Sequence, residues 1–334
     1  MDRMKKGKQA QVHCVIIGFS DYKNDKEKII FDLNELKKVE HINPYLLDGP
    51  NIIVSARSHP ICDVPAMTIG NRPTDNGNLL LNEKEKNNLV KENKLIKKYI
   101  KPFMGGNEFI NGEKRWCLWL VDANPTELRN CKSIKERLER VRRFRLNSGS
   151  KATNKCANKP MLFQGIRQPK SDYLFIPQLS SEKRIYIPIG FIDKSIISSD
   201  PNLIVEDATL FHFGILTSSV HMAWMRAVCS RLGSSYRYSK DIVYNNFIWP
   251  RLTPAQKENI EKAAQAVLDA RKLYPESTLA DLYDPNTMPP ELTKAHEKLD
   301  KAVKAAYGNK GFETEEEIVA SLMKLYKEAI DKVA

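Results

Sequence analysis

The chain has 334 residues, 42% of them hydrophobic, and a formal net charge of +12; that is length for two domains with a real core, and it excludes a disordered chain. No run of about 20 apolar residues occurs, so no membrane span is expected. The six cysteines form no CxxC pair, which argues against a zinc ribbon or a disulfide framework and fits a reducing cytoplasm. The charge is uneven: residues 253–334 hold 12 Lys/Arg and 15 Asp/Glu, so the net positive charge lies in residues 1–252. A basic block of that size favours a polyanionic partner.

In chain order, the basic start Met1-Asp-Arg-Met-Lys-Lys-Gly-Lys8 is followed by no apolar signal core and reads as the start of an excised piece. Residues 11–19 read as a buried strand, 21–26 as a turn and 28–32 as a returning strand, a hairpin that needs a larger sheet to join. Residues 40–60 are loop-rich, and 69–78 form a loop with at least two turns. A polar helix is predicted over 84–99 and a strand over 114–121. Ser133 opens a helix through a capping box with Glu136, with Ile134, Leu138 and Val141 as its buried stripe. Residues 172–192 read as a β-hairpin with its tip at 180–184, and 207–213 as a strand. Residues 218–232 read as a helix stopped by Gly233, and 236–240 as an aromatic-basic strand. From Thr253 onward the pattern is a small acidic helical bundle. Thr253-Pro-Ala-Gln256 and Thr314-Glu-Glu-Glu317 cap two of its helices, and another runs over 290–307.

No residues call for catalysis or a metal. Asn124-Pro125 and Asn43-Pro44 lack the second proline of a base-gripping Asn-Pro-Pro loop, and no glycine-rich turn for S-adenosylmethionine is recognisable. Glu182-Lys183-Arg184 has no acidic strand before it, as a nuclease would need. His212 and His221 have no third ligand at metal spacing, so a packed or hydrogen-bonded role suits them. Ser218 and Ser219 lack a GxSxG elbow and read as helix caps. The functional candidates are instead basic. Residues 129–170 hold 13 basic and two acidic residues, with Arg137, Arg140, Arg142, Arg143 and Arg145 on one helix, placed for DNA-backbone contact. The tip residues Ser181, Glu182, Lys183 and Arg184 mix donors and acceptors, since Glu can accept from cytosine and Arg can donate to guanine. Tyr236, Arg237, Tyr238 and Lys240 could face phosphates.

Longer stretches carry a resemblance. Val64-Pro-Ala-Met-Thr-Ile-Gly-Asn-Arg-Pro-Thr-Asp-Asn-Gly-Asn-Leu-Leu-Leu81, Glu139-Arg-Val-Arg-Arg-Phe-Arg-Leu146, Leu179-Ser-Ser-Glu-Lys-Arg-Ile-Tyr-Ile-Pro-Ile-Gly-Phe191 and the block from Phe211 to Pro250 resemble the C-terminal part of MmeI-type (Type IIL, Type IIG-like) restriction-modification enzymes. The resemblance covers nearly the whole chain from about residue 10. The Trp249-Pro-Arg-Leu-Thr-Pro-Ala-Gln256 junction is also similar to that of Type I specificity subunits. The resemblance implies an α+β fold: a remnant methyltransferase hairpin (1–39), a target-recognition domain on a mixed or antiparallel sheet (40–252), and a helical C-terminal domain (253–334). It implies sequence-specific recognition of double-stranded DNA, with Ser181, Glu182, Arg184 and Arg72 reading bases. Adenine-N6 methylation with S-adenosylmethionine, and Mg2+-dependent cleavage, would then belong to the methyltransferase and nuclease domains of a cytoplasmic parent, with no cofactor in this chain. The alternative is a specificity-subunit-like scaffold that docks a separate methyltransferase subunit.

Overall fold

The structure, a computed structural model, describes residues 15–19, 27–32, 35–308 and 312–332. Its first half contains β1 (Lys28–Asp32), β2 (Glu35–Val39), β3 (Met67–Ile69), β4 (Leu80–Leu81), α1 (Glu83–Glu92), β5 (Ile100–Met104), α2 (Gly106–Asn111), β6 (Trp116–Leu118), α3 (Pro125–Arg129), α4 (Lys132–Leu146) and α5 (Lys151–Lys155). Then come β7 (Tyr173–Ile176), β8 (Leu179–Ser180), β9 (Gly190–Ile192), β10 (Ile197–Ser198), β11 (Leu203–Glu206), α6 (Leu210–Thr217), α7 (Ser219–Val228), β12 (Ser230–Leu232) and β13 (Ser235–Arg237). Helices α8 (Pro254–Lys272), α9 (Leu279–Leu282), α10 (Pro290–Ala306) and α11 (Glu315–Asp331) complete the chain.

Among the described residues the strands form small sheets: β1-β2, β10-β5-β6-β4, β3-β11-β7-β9 and β12-β13-β8. The pairing is antiparallel except between β10 and β5, so the fold is α+β with mixed sheets, as expected. Strand β7 is buried on both faces. Successive side chains alternate across a strand, so Leu174 and Ile176 join the largest core while Tyr173 and Phe175 join a smaller one on the other face.

The largest core runs without a break from this sheet into the C-terminal helices. It joins Leu203 and Val205 to Phe213 and Trp224, then to Ile260 and Val267 of α8, Leu299 of α10 and Leu322 of α11. Gly214 lets α6 approach α8 closely: a Cβ there would stand 2.9 Å from Ile260 Cγ2 and 3.1 Å from Ala264 Cβ. A second core gathers Leu79, Leu81, Ile96, Leu118, Ile134 and Val141 beneath the β10-β5-β6-β4 sheet.

Several expected elements are corrected. Residues 28–32 pair with 35–39, and the described part of the expected first strand, 15–19, carries no strand; a partner two residues away costs far less loop closure. Val15, Ile16 and Phe19 are exposed; residues 11–14 and the expected turn at 21–26 lie outside the described residues. The predicted strand at 207–213 is the start of α6. Strand β11 ends at Glu206, Asp207 turns at φ +57°, and Thr209 then opens α6 in a reciprocal cap with His212. The helix predicted over 84–99 breaks after Glu92, where Asn93 caps a tighter turn over Lys94–Tyr99. The predicted cap at Ser133 is replaced by a tertiary one: Glu92 at the end of α1 accepts the Ser133 N–H at 3.1 Å. The helix predicted over 218–232 stops at Val228 and gives way to β12. The caps at Ser218, Thr253 and Thr314 form as read.

Candidate nucleic-acid interface

The expected hairpin forms between β7 and β9, with Tyr173 opposite Ile192, but its connection is wide. After β7 the chain pairs briefly as β8 with β13, Tyr236 opposite Ser180, and then turns at residues 181–184. The Arg184 N–H closes that turn on the Ser181 carbonyl at 3.2 Å, and the Lys183 N–H meets Ser181 Oγ at 3.3 Å. Glu182 stands 3.6 Å from Arg231 of β12, whose guanidinium lies over the Tyr236 ring at 4.0 Å. Lys183 is exposed. Arg184 is half-buried, and burial pulls its pKa below the usual arginine range while Asp284 opposes that shift.

Arg184 faces a cleft of about 860 Å³. It is lined by Gln178, Leu179 and Arg184, by Asn82 and Glu85 before and within α1, by Asn107, Glu108 and Asn111 of α2, and by Glu113, Lys114 and Arg115. Ser199, Pro201 and Asn202 also line it. The lining mixes five amides and the cations Lys114, Arg115 and Arg184 with the carboxylates Glu85, Glu108 and Glu113, so it offers both donors and acceptors. Arg72 pairs with Asp200, which lies between the lining residues Ser199 and Pro201, and the Arg72 side chain is 55% exposed. The strand-glycine-glycine-helix turn at Gly105-Gly106 does not fit a cofactor: Glu108 turns its own carboxylate onto the Gly105 N–H at 2.9 Å and also meets Arg115 at 3.3 Å. An anionic ligand at that helix start would face a carboxylate. Among the described residues, no group of three or more His, Cys, Asp or Glu could hold a metal ion, and no helix is long and apolar enough to cross a membrane.

The arginine helix α4 divides into three kinds of side chain. Arg140, Arg142 and Arg143 are exposed. Arg140 Nε reaches Asn78 Oδ1 at 2.8 Å, and Arg143 pairs with Glu139 at 3.4 Å. Arg137 is largely enclosed, held by Glu85 at 2.5 Å and the Asn78 carbonyl at 3.0 Å, so it braces α4 against the cleft wall. Arg145 corrects the reading as a phosphate contact outright. It is fully buried and donates all five N–H groups to backbone carbonyls: Pro73 and Leu162 at 2.8 Å, Thr74 at 2.9 Å, Cys156 and Lys159 at 3.1 Å.

Tyr236 and Tyr238 are corrected in the same way. Both are buried, and Tyr238 OH meets His221 Nε2 at 2.8 Å, so neither reaches a phosphate. Arg237 points out between them, and Lys240 pairs with Asp241 at 2.6 Å. Sequence reasoning missed the amides of the cleft (Asn82, Asn107, Asn111, Gln178, Asn202) and missed Arg231 beside Glu182. The one local hint was the run of asparagine and glycine around residues 76–78 and 105–107.

The family model of the MmeI target recognition domain matches residues 48–251, and that of the MmeI C-terminal domain matches residues 252–334. DNA methyltransferase A of Bacillus subtilis (strain 168) is 40% identical over 323 residues, which is 97% of this chain and 37% of that protein. A solved structure of the Type IIL restriction-modification enzyme MmeI in complex with DNA superposes with a TM-score of 0.88 at 45% identity, over 92% of this chain and 42% of that one. The chain thus spans about two fifths of the length of these relatives.

Proposed function

The chain belongs to the MmeI family, whose target-recognition and C-terminal domains it carries, and from that premise we propose that it is the sequence-reading module of a DNA methyltransferase acting on double-stranded DNA. The observation that supports the proposal is the cleft lined by Arg184, the last residue of the 181–184 turn, together with the exposed amides Asn82, Asn107 and Asn111. A reader of base edges needs fixed donors and acceptors projecting from a rigid support, and a separate set of cations for the phosphates. Ser181, Glu182, Arg184 and Arg72 take the first role. Arg140, Arg142, Arg143, Lys183, Arg237 and Lys240 take the second. In this reading, adenine-N6 methyl transfer with S-adenosylmethionine, and cleavage with Mg2+, are the work of other domains of a parent protein in the bacterial cytoplasm. This chain lacks catalytic motifs and contributes the choice of site.

Selection from random duplex pools at two salt concentrations, with sequencing of the bound fraction, tests the proposal. A short enriched sequence is expected, with binding that weakens as salt rises. Arg184→Ala should relax the choice at one position by about 1–3 kcal/mol while leaving the salt slope unchanged. No binding at low salt would sink the proposal.

The backbone assignment has its own test. Replacing both Arg140 and Arg143 by alanine should lower the slope of log K against log salt by about two units. An unchanged slope would remove α4 from the interface.

A further inference from the structure

The segment between the recognition turn and β9 has no ladder partner, since no strand is assigned between Ser180 and Gly190. Its backbone is held instead by side chains that trace back to the C-terminal helices. The Ile185 carbonyl accepts from Arg226 Nη1 at 3.0 Å, and Arg226 is locked by two 2.7 Å bonds to Glu315 of α11. Tyr186 donates its hydroxyl to Asp300 Oδ2 of α10 at 2.8 Å, and its ring stacks on His296 of the same helix at 4.0 Å. The other Asp300 oxygen accepts the Ser219 N–H at the start of α7, at 2.7 Å. The Ile189 carbonyl accepts from Arg271 of α8 at 2.7 Å, and Arg271 is steadied by the Tyr283 hydroxyl, which in turn meets His296 Nε2 at 2.9 Å. Three C-terminal helices therefore each supply one strap to five consecutive residues, the first of them adjacent to Arg184.

We propose that Arg271, Asp300 and Glu315 are positioning residues for DNA specificity: they hold residues 185–189, and through them the Ser181–Arg184 turn, in one posture at the cleft that Arg184 lines. This rests on the reading of that turn as the base reader. Bidentate recognition tolerates only about 0.5 Å and 10–20° of error; the turn has internal hydrogen bonds involving Ser181, and Glu182 meets Arg231 of β12. The straps add a hold on its C-terminal side, and most are paired: Asp300 bridges two elements, and Arg226 is fixed by a two-point ion pair before it grips the backbone. The C-terminal helices thus take part in choosing the sequence with no base contact of their own required.

The test uses the full chain with Asp300→Ala, Asp300→Asn and Glu315→Gln. Two quantities are read: amide hydrogen exchange over 181–189 in the free protein, and the ratio of affinities for the selected duplex and its single-base variants. Asp300→Ala should speed exchange over 181–189 and lower the ratio by about tenfold, leaving low-salt affinity for random duplex unchanged. Asp300→Asn should restore most of both. Its amide oxygen accepts from Ser219, and its NH2 donates to the Tyr186 hydroxyl, which can accept as well as donate. Glu315→Gln, on a half-exposed rim, keeps the fold should Asp300→Ala not survive, and should lower the ratio by about threefold. Full discrimination in Glu315→Gln and Asp300→Ala, or an equal loss of selected and random binding, overturns the proposal. A wild-type chain that binds without discriminating would instead sink the function reading, and the straps' role in specificity with it, whatever the exchange shows.

Discussion

Replacing Arg145 by methionine is expected to destabilise the chain by about 3–5 kcal/mol, because it strips a buried site of its only matching donor set. The guanidinium satisfies carbonyls from residues 73–74 and from 156–162 at once. Five acceptors turned toward one point repel one another and cannot re-pair locally; methionine fills the volume but donates nothing. Lysine would restore the charge with three donors on a compact head, too few for five carbonyls, and should recover only part of the loss. The drop in melting temperature should be about 10 °C at a few degrees per kcal/mol. Burial already holds the Arg145 pKa below the arginine range, while the nearby Asp75 opposes that shift, and the ring of five carbonyls around the guanidinium favours the ion there. Thermal unfolding followed by circular dichroism checks the loss. A melting temperature within a degree or two of wild type would mean that residues 73–74 and 156–162 are held by other bonds.

Acid should unfold the protein through its buried imidazoles. Burial pushes the His221 pKa down to about 3 and pulls those of His296 and His212 below the ordinary value. His221 and His296 each leave Nδ1 without a hydrogen-bond partner, so no acceptor faces the nitrogen that protonation would load. In the unfolded chain each ring takes up a proton near pH 6.5. The unfolded state therefore binds more protons below that pH, and stability that is complete above pH 6.5 is lost as pH falls toward 3. For His221 alone the loss would total about 4–5 kcal/mol over that window, at 1.36 kcal/mol per unit. Asp300 acts in the opposite direction, because burial raises its pKa, and its protonation offsets part of the fall. Urea unfolding at pH 7.5, 6 and 4.5 should show stability declining through the lower two points. His221→Asn should make the decline shallower. A flat profile in the wild type would contradict the burial of these rings.

Parts of both results were written in the chain. Arg145 continues the stripe of Ile134, Leu138 and Val141 at steps of four, three and four, so its burial was a matter of helical phase; density of charge argued the other way and was wrong. Tyr236 and Tyr238 flank Arg237 at the period of a strand, which puts the two rings inward and the guanidinium outward. The caps at Ser218, Thr253 and Thr314 were legible because each is complete within four residues. The start of α6 was not. Its run of Phe, Ile and Leu is apolar on all sides, as a buried strand would be, because α8 and α10 enclose it. The cleft was not legible either: Asn82, Asn107, Gln178 and Asn202 come from four separate loops or helix starts, and only tertiary packing brings them to one place. The turn at 181–184 was legible because it is a single short segment, and the straps behind it were missed because each is half in a C-terminal helix.

The unbroken core has a consequence for how specificity can be inherited or transplanted. A junction at Thr253 looks like a clean seam, a proline-led helix start between two domains. Yet the interior crosses it: Trp224 packs its ring against Tyr326 at 5.9 Å, and Gly214 admits Ile260 so closely that no side chain fits between. A recombinant joining one ancestor's reader to another's tail would need both sides of that interior to match. The natural cassette for swapping site choice among such proteins is the pair taken whole.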